Sequence, residues 1–139
     1  METRISSTPS VGRVLSLAAI AGVISAIVNV LLFQIGLATG AIPGDLIIPN
    51  AGEPLSAVPV LIASLLPSLV AGLVLVILNR FTRNPLRLFN IVAAVIVLLS
   101  FFSPFSIPNV PIGMVVILEL MHVVVAGVVV FTFNRFARS

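Results

Sequence analysis

Glu119 and His122 are the only ionisable side chains inside the apolar stretches of this chain, and they stand three residues apart. On a helix, residues three apart share a face, so carboxyl and imidazole point the same way. Hydrocarbon penalises either charge alone. The pair is therefore expected as neutral groups sharing a hydrogen bond or as a carboxylate beside an imidazolium. Exchange between those states is the chemistry of a proton relay or cation site, and an ionisable residue within a membrane is a candidate for function by default. The competing reading is structural: the pair fixes helix register together with the other polar groups of the spans.

Those other groups fall into layers when the nearest arginine of each span marks depth. Ser25, Ser68, Ser100 and His122 lie 12, 12, 13 and 13 residues from Arg13, Arg80, Arg87 and Arg135, while Asn29, Ser64, Ser103 and Glu119 all lie 16 residues from the same marks. At helical rise these are levels about 18 to 20 Å and about 24 Å from the arginine plane, near the bilayer middle. The simplest arrangement puts all eight on the bundle axis, where they satisfy one another because lipid cannot. Pro67, within the second span, cannot bond the carbonyl of Ala63 and is expected to kink the helix beside the Ser64 level. Small residues (Ala18, Gly22 and Ala26; Ser64, Ser68 and Gly72) form stripes that allow close approach of backbones, within the bundle or between protomers.

Cofactor chemistry is less well supported. The Glu-x-x-His spacing is half of a di-iron bundle motif, which needs a second copy and two further carboxylates that one chain lacks. Haem on His122, alone or across a dimer, is a weaker alternative. Asp45 and Glu53 sit in a Gly- and Pro-rich connection without further ligands, so a solvated loop is favoured over a cation site. With no Cys, thiolate metal sites, disulfides and Cys nucleophiles are excluded. No metal, cofactor or enzymatic activity is expected.

The elements that must position these groups follow from composition. The chain has 139 residues, 60% hydrophobic and 8% charged, with a mean hydropathy of +1.31, which is the composition of an integral membrane protein. Spans are predicted at about 14–38, 58–79, 89–103 and 112–133. The first is too long for a signal-peptide core and is read as retained. The seven arginines fall into groups that alternate with pairs of spans: Arg4 and Arg13, then Arg80, Arg83 and Arg87, then Arg135 and Arg138. Cytoplasmic loops retain Arg, so both termini are placed in the cytoplasm of a bacterial inner membrane, with Arg13, Arg80, Arg83, Arg87, Arg135 and Arg138 as anchors facing lipid headgroups. The basic balance thus reflects orientation, and no nucleic-acid partner is expected.

The first outer connection holds turn residues around an apolar Leu46-Ile47-Ile48, which is expected to dip into the interface or cap the bundle. The second, Pro104 to Pro111, is expected to be tight and extended. In the absence of Trp and Tyr, Phe81, Phe89, Phe133 and Phe136 are assigned to the inner belt and Phe101, Phe102 and Phe105 to the outer. Residues 70–84 align without a gap to 125–139, with eight of fifteen positions identical, including Asn-Arg-Phe-x-Arg at the end of each span. This points to duplication of a helical hairpin with a pseudo-two-fold along the membrane normal; a convergent Arg and Phe anchor is the alternative.

The fourth span, Leu118-Glu119-Leu120-Met121-His122 followed by an aliphatic run, resembles the last helix of an uncharacterised family of small bacterial four-helix membrane proteins. The resemblance implies the helix count and Met121 and His122 as signature positions; it implies no activity. The expected fold is an all-α four-transmembrane-helix bundle in one membrane domain, 1–139. The expected function is that of a non-catalytic packing or accessory subunit, the alternative being a small transporter or channel component that binds a proton or cation at Glu119 and His122. Expected partners are membrane lipids, and further copies of the chain or a larger membrane complex.

Overall fold

The computed structural model describes residues 9–138, so Arg4 lies outside the described residues. The chain forms α1 (Val11–Ala38), α2 (Ala57–Phe81), α3 (Pro85–Ser100) and α4 (Ile112–Phe136). All four are long and apolar enough to cross a membrane, α3 only together with the chain that extends it to Ser106. They are helices because no other open segment satisfies its backbone in lipid. α1 opens with a cap, the Arg13 amide donating to Ser10 Oγ at 3.2 Å. α3 begins on Pro85, whose missing N–H costs nothing in the first turn. Arg13, Arg80, Arg83, Arg87, Arg135 and Arg138 gather at one end of the bundle, all exposed.

α1 packs extensively on α2 and α4, whereas α3 touches α2 and α4 more sparingly. Among the described residues α1 and α3 make no contact, so they occupy opposite corners, with α2 and α4 meeting across the middle. That ring order is the one a two-fold along the membrane normal requires, but the two halves are packed unequally. Two apolar clusters build the core. Val14, Ala18, Leu75, Phe89 and Phe133 belong to the one at the arginine end, and Phe33, Ile42, Val60, Met114 and Met121 form the other. Between them lie Ser25, Asn29, Ser64 and Ser68, all buried.

The first connection caps the bundle. Ile47–Ile48 (β1) pairs antiparallel with Glu53–Pro54 (β2), and Leu46, Ile48 and Leu55 pack on the second cluster. Ile42 plugs the end of α1: a Cβ on Gly36 would meet Ile42 Cδ1 at 2.6 Å, so a larger residue there would have to displace the Ile42 side chain. The second connection is not extended as the sequence suggested. Pro104–Ser106 turns into a short 3₁₀ segment, and Asn109 takes a left-handed conformation (φ 56°), because closely spaced prolines with Ser and Asn between them favour successive turns as readily as extension. The aromatic belt also needs correction. Phe89 and Phe133 are 3% and 0% exposed and pack against each other, ring centroids 5.1 Å apart, which leaves Phe81 and Phe136 at the surface of the arginine end. A buried contact between α3 and α4 outweighs the interfacial preference of both rings.

Candidate functional site

The polar layer is built first by α1 and α2. Small residues bring these helices together: a Cβ on Gly22 would stand 3.2 Å from Ser68 Cβ, and one on Gly72 would stand 2.6 Å from Ala18 Cβ. The two stripes read from the sequence therefore meet within one chain. Close approach lets Asn29 Nδ2 donate to Ser64 Oγ at 3.0 Å, and to the carbonyl of Met121 on α4 at 3.3 Å. Ser64 Oγ in turn donates to the Val60 carbonyl, and Ser68 Oγ to that of Ser64. One asparagine thus ties three helices together at mid-depth. Its Oδ1 has no hydrogen-bond partner, and neither has Ser25 Oγ.

The other predicted members do not join this network. Ser100 bonds back to the carbonyl of Val97 at 2.7 Å, and Ser103 lies beyond the end of α3, exposed. Both Glu119 carboxyl oxygens are buried without a partner. His122 Nδ1 lies 2.7 Å from the Leu118 carbonyl on its own helix. The hydrogen bond expected between Glu119 and His122 is thus replaced by one along α4. The carbonyl four residues back is within reach of this histidine by its own rotamer alone, while Glu119 is reached only if both side chains bend toward each other. Since a carbonyl can only accept, Nδ1 is the donor in this contact, and Nε2 is left outside it.

The His122 ring belongs to the wall of a cavity. Between α2, α3 and α4, where α3 stands off, lies a largely apolar space of about 540 Å³. His122, Asn29, Ser64 and Ser100 supply its polar spots, and Pro67 and Ala63 line it from α2. α2 is helical through Pro67. The Ala63 carbonyl, which Pro67 cannot serve, is therefore on the helix face turned to the cavity. Residues 9–139 match a family of unknown function, DUF6069. The chain belongs to the DUF6069 family. No curated protein and no solved structure matches it. The DUF6069 match covers all four helices, so the cavity lies wholly within the matched region.

Two features of this DUF6069 protein escaped the sequence reading. The carbonyl of Met121 acts as a ligand of Asn29, and backbone groups leave no signature in residue type. Asn90 and Asn134 form a reciprocal amide pair, at 3.0 and 2.7 Å, that clamps α3 to α4 near the arginine end. A signal for the second existed: Asn90 is a polar residue at the start of the third span, and a half-buried amide there calls for a partner. Among the described residues no three His, Asp or Glu side chains gather as a metal site would require.

Proposed function

We propose that this is a non-enzymatic membrane subunit that holds a neutral, lipophilic, hydrogen-bond-donating molecule between α2, α3 and α4. The cavity with His122 in its wall carries the reading. Two of its polar spots can accept: the ring nitrogen of His122 that is not bonded to Leu118, and the Ala63 carbonyl that Pro67 cannot serve. A ligand that complements them offers a hydroxyl or N–H on an apolar body, as ligand pockets with few convergent polar groups require. The arginine distribution supports cytoplasmic termini in a bacterial inner membrane. The aligned segments 70–84 and 125–139 support descent of one membrane domain from a duplicated hairpin, and His122, beside Met121, is the position where function separated the copies, its counterpart in α2 being Pro67.

The test is binding of a long-chain alkylphenol and of the matching alkylbenzene to the purified protein in neutral detergent. The phenol is expected to bind about tenfold more tightly, the worth of one buried hydrogen bond. His122→Phe should erase that preference, and Ala93→Phe with Ala126→Phe, which fill the cavity, should abolish both. Equal binding of the two probes, or binding untouched by the filling substitutions, would refute the reading. The unpartnered Glu119 oxygens favour a second reading, a carboxyl that carries a proton within the membrane as a transporter component. It requires that Glu119→Gln abolish proton flux in vesicles, whereas ligand holding requires only that probe binding survive this substitution.

A further inference from the structure

The arginine end carries a second concavity, separate from the cavity around His122. It is an open cleft of about 700 Å³ between the start of α3 and the end of α4, with Arg87 and Arg138, Asn90 and Asn134, and Ile91 and Ala94 in its walls. Arg87, Ile91 and Ala94 lie on one face of α3, so that wall passes from guanidinium to hydrocarbon over about 10 Å. Its length and polarity gradient match a molecule with an anionic head and an apolar tail.

Among the described residues neither Arg87 nor Arg138 has an acidic partner. Of their neighbours, Arg13 Nη2 donates to the Phe136 carbonyl at 2.8 Å, and Arg135 stands over the Phe136 ring at 5.7 Å. The acidic side chains among the described residues, Asp45, Glu53 and Glu119, all belong to the opposite half of the bundle, so none neutralises Arg87 or Arg138. Asn134 uses both amide hydrogens, on Asn90 Oδ1 and on the Val130 carbonyl. Asn90 uses one, on Asn134 Oδ1, and has another to offer.

The geometry points to a site for the phosphate headgroup of an anionic glycerophospholipid, Arg87 and Arg138 holding the phosphate oxygens with the Asn90 amide, and Ile91 and Ala94 bedding the first methylenes of an acyl chain. Guanidinium forks suit phosphate oxygens, and basic pockets between spans select anionic headgroups. Free phosphate would meet only the polar half of the cleft. The apolar wall is what assigns the site to a lipid.

Native mass spectrometry of the full chain in neutral detergent tests this, with phosphatidylglycerol, phosphatidylcholine or inorganic phosphate added. Phosphatidylglycerol should be retained in preference to phosphatidylcholine, and inorganic phosphate should not displace it. Arg87→Gln with Arg138→Gln should weaken phosphatidylglycerol binding about 30-fold, the effect of two guanidinium charges beside a lipid headgroup. Arg80→Gln with Arg83→Gln, which removes the same charge outside the cleft, should leave it nearly unchanged, and Ala94→Phe should reduce it by crowding the chain. Equal losses from the two arginine pairs would overturn the site, as would equal retention of phosphatidylcholine or displacement by inorganic phosphate. Persistence of the lipid in the cavity-filled Ala93→Phe, Ala126→Phe protein separates this outcome from the fate of the alkylphenol reading.

Discussion

The α1–α2 seam and the α3 corner are made of equally apolar helices, yet they are packed differently. In the most apolar stretch of α1, 39% of residues are buried, against 11% for α3. The difference lies in side-chain size and polarity rather than hydrophobicity. Lipid is as apolar as leucine, so burying leucine against leucine gains little, and helices associate through close backbone approach and hydrogen bonds instead. α1 and α2 have both, in Ala18, Gly22, Gly72 and the Asn29–Ser64 bond. α3 is mostly Val, Leu and Ile, its Ala93 and Ala94 lining the cavity and the arginine-end cleft, and it is held chiefly near its ends, by Phe89 and Asn90 at one and by the turn at Pro104 at the other. Between those anchors it stands off, and the cavity is the consequence.

Substitutions at glycine probe this difference most severely. Gly72→Val should destabilise the bundle by about 3 kcal/mol, the upper range for overpacking, because a Cβ there meets Ala18 at 2.6 Å. Gly127→Ala, where a Cβ meets nothing within 4 Å, should stabilise by about 0.5 to 1 kcal/mol through helix propensity. Unfolding in bicelles measures both, and the same sign at the two sites would mean that the seam is not tight.

A smaller effect bears on the same contrast. A double-mutant cycle between Asn29→Ala and Ser64→Ala should return a coupling of about 0.6 kcal/mol, the mean for interhelical bonds in membranes. The cycle between Asn90→Ala and Asn134→Ala should return at least as much, since two bonds join that pair. Coupling in the second pair alone would move the main polar clamp of the bundle from the α1–α2 seam to α3.

The sequence was sufficient for the four spans, because hydropathy and arginine spacing rest on helical geometry, which lipid enforces; depth counting put Asn29 and Ser64 at one level without pairing them. It was equally legible that the small stripes pack, although only the structure shows them facing each other within one chain. The buried carboxyl–imidazole pair was not legible. Whether Glu119 and His122 meet depends on rotamers that a spacing of three residues permits but does not require, and the Leu118 carbonyl competes for the imidazole. The cavity was invisible for a related reason: it arises from the separation of α3, and the residues lining it look like ordinary lipid-facing Val, Ile and Ala.

α3 is thus the loosely held wall of a cavity while α1 and α2 form a fixed frame, and low contact density permits local motion of this kind. Because the chain contains no Cys, spin-label pairs can be placed without background at exposed positions, Ile20 with Leu73 across the α1–α2 seam and Ile62 with Leu99 across α2 and α3. Double electron–electron resonance in lipid nanodiscs should give a narrow distance distribution for the first pair, with or without alkylphenol. The second pair should give a broad distribution that narrows when alkylphenol is added. A distribution for the α2–α3 pair as narrow as that of the seam and indifferent to the probe would contradict the division of the bundle into fixed frame and loose wall.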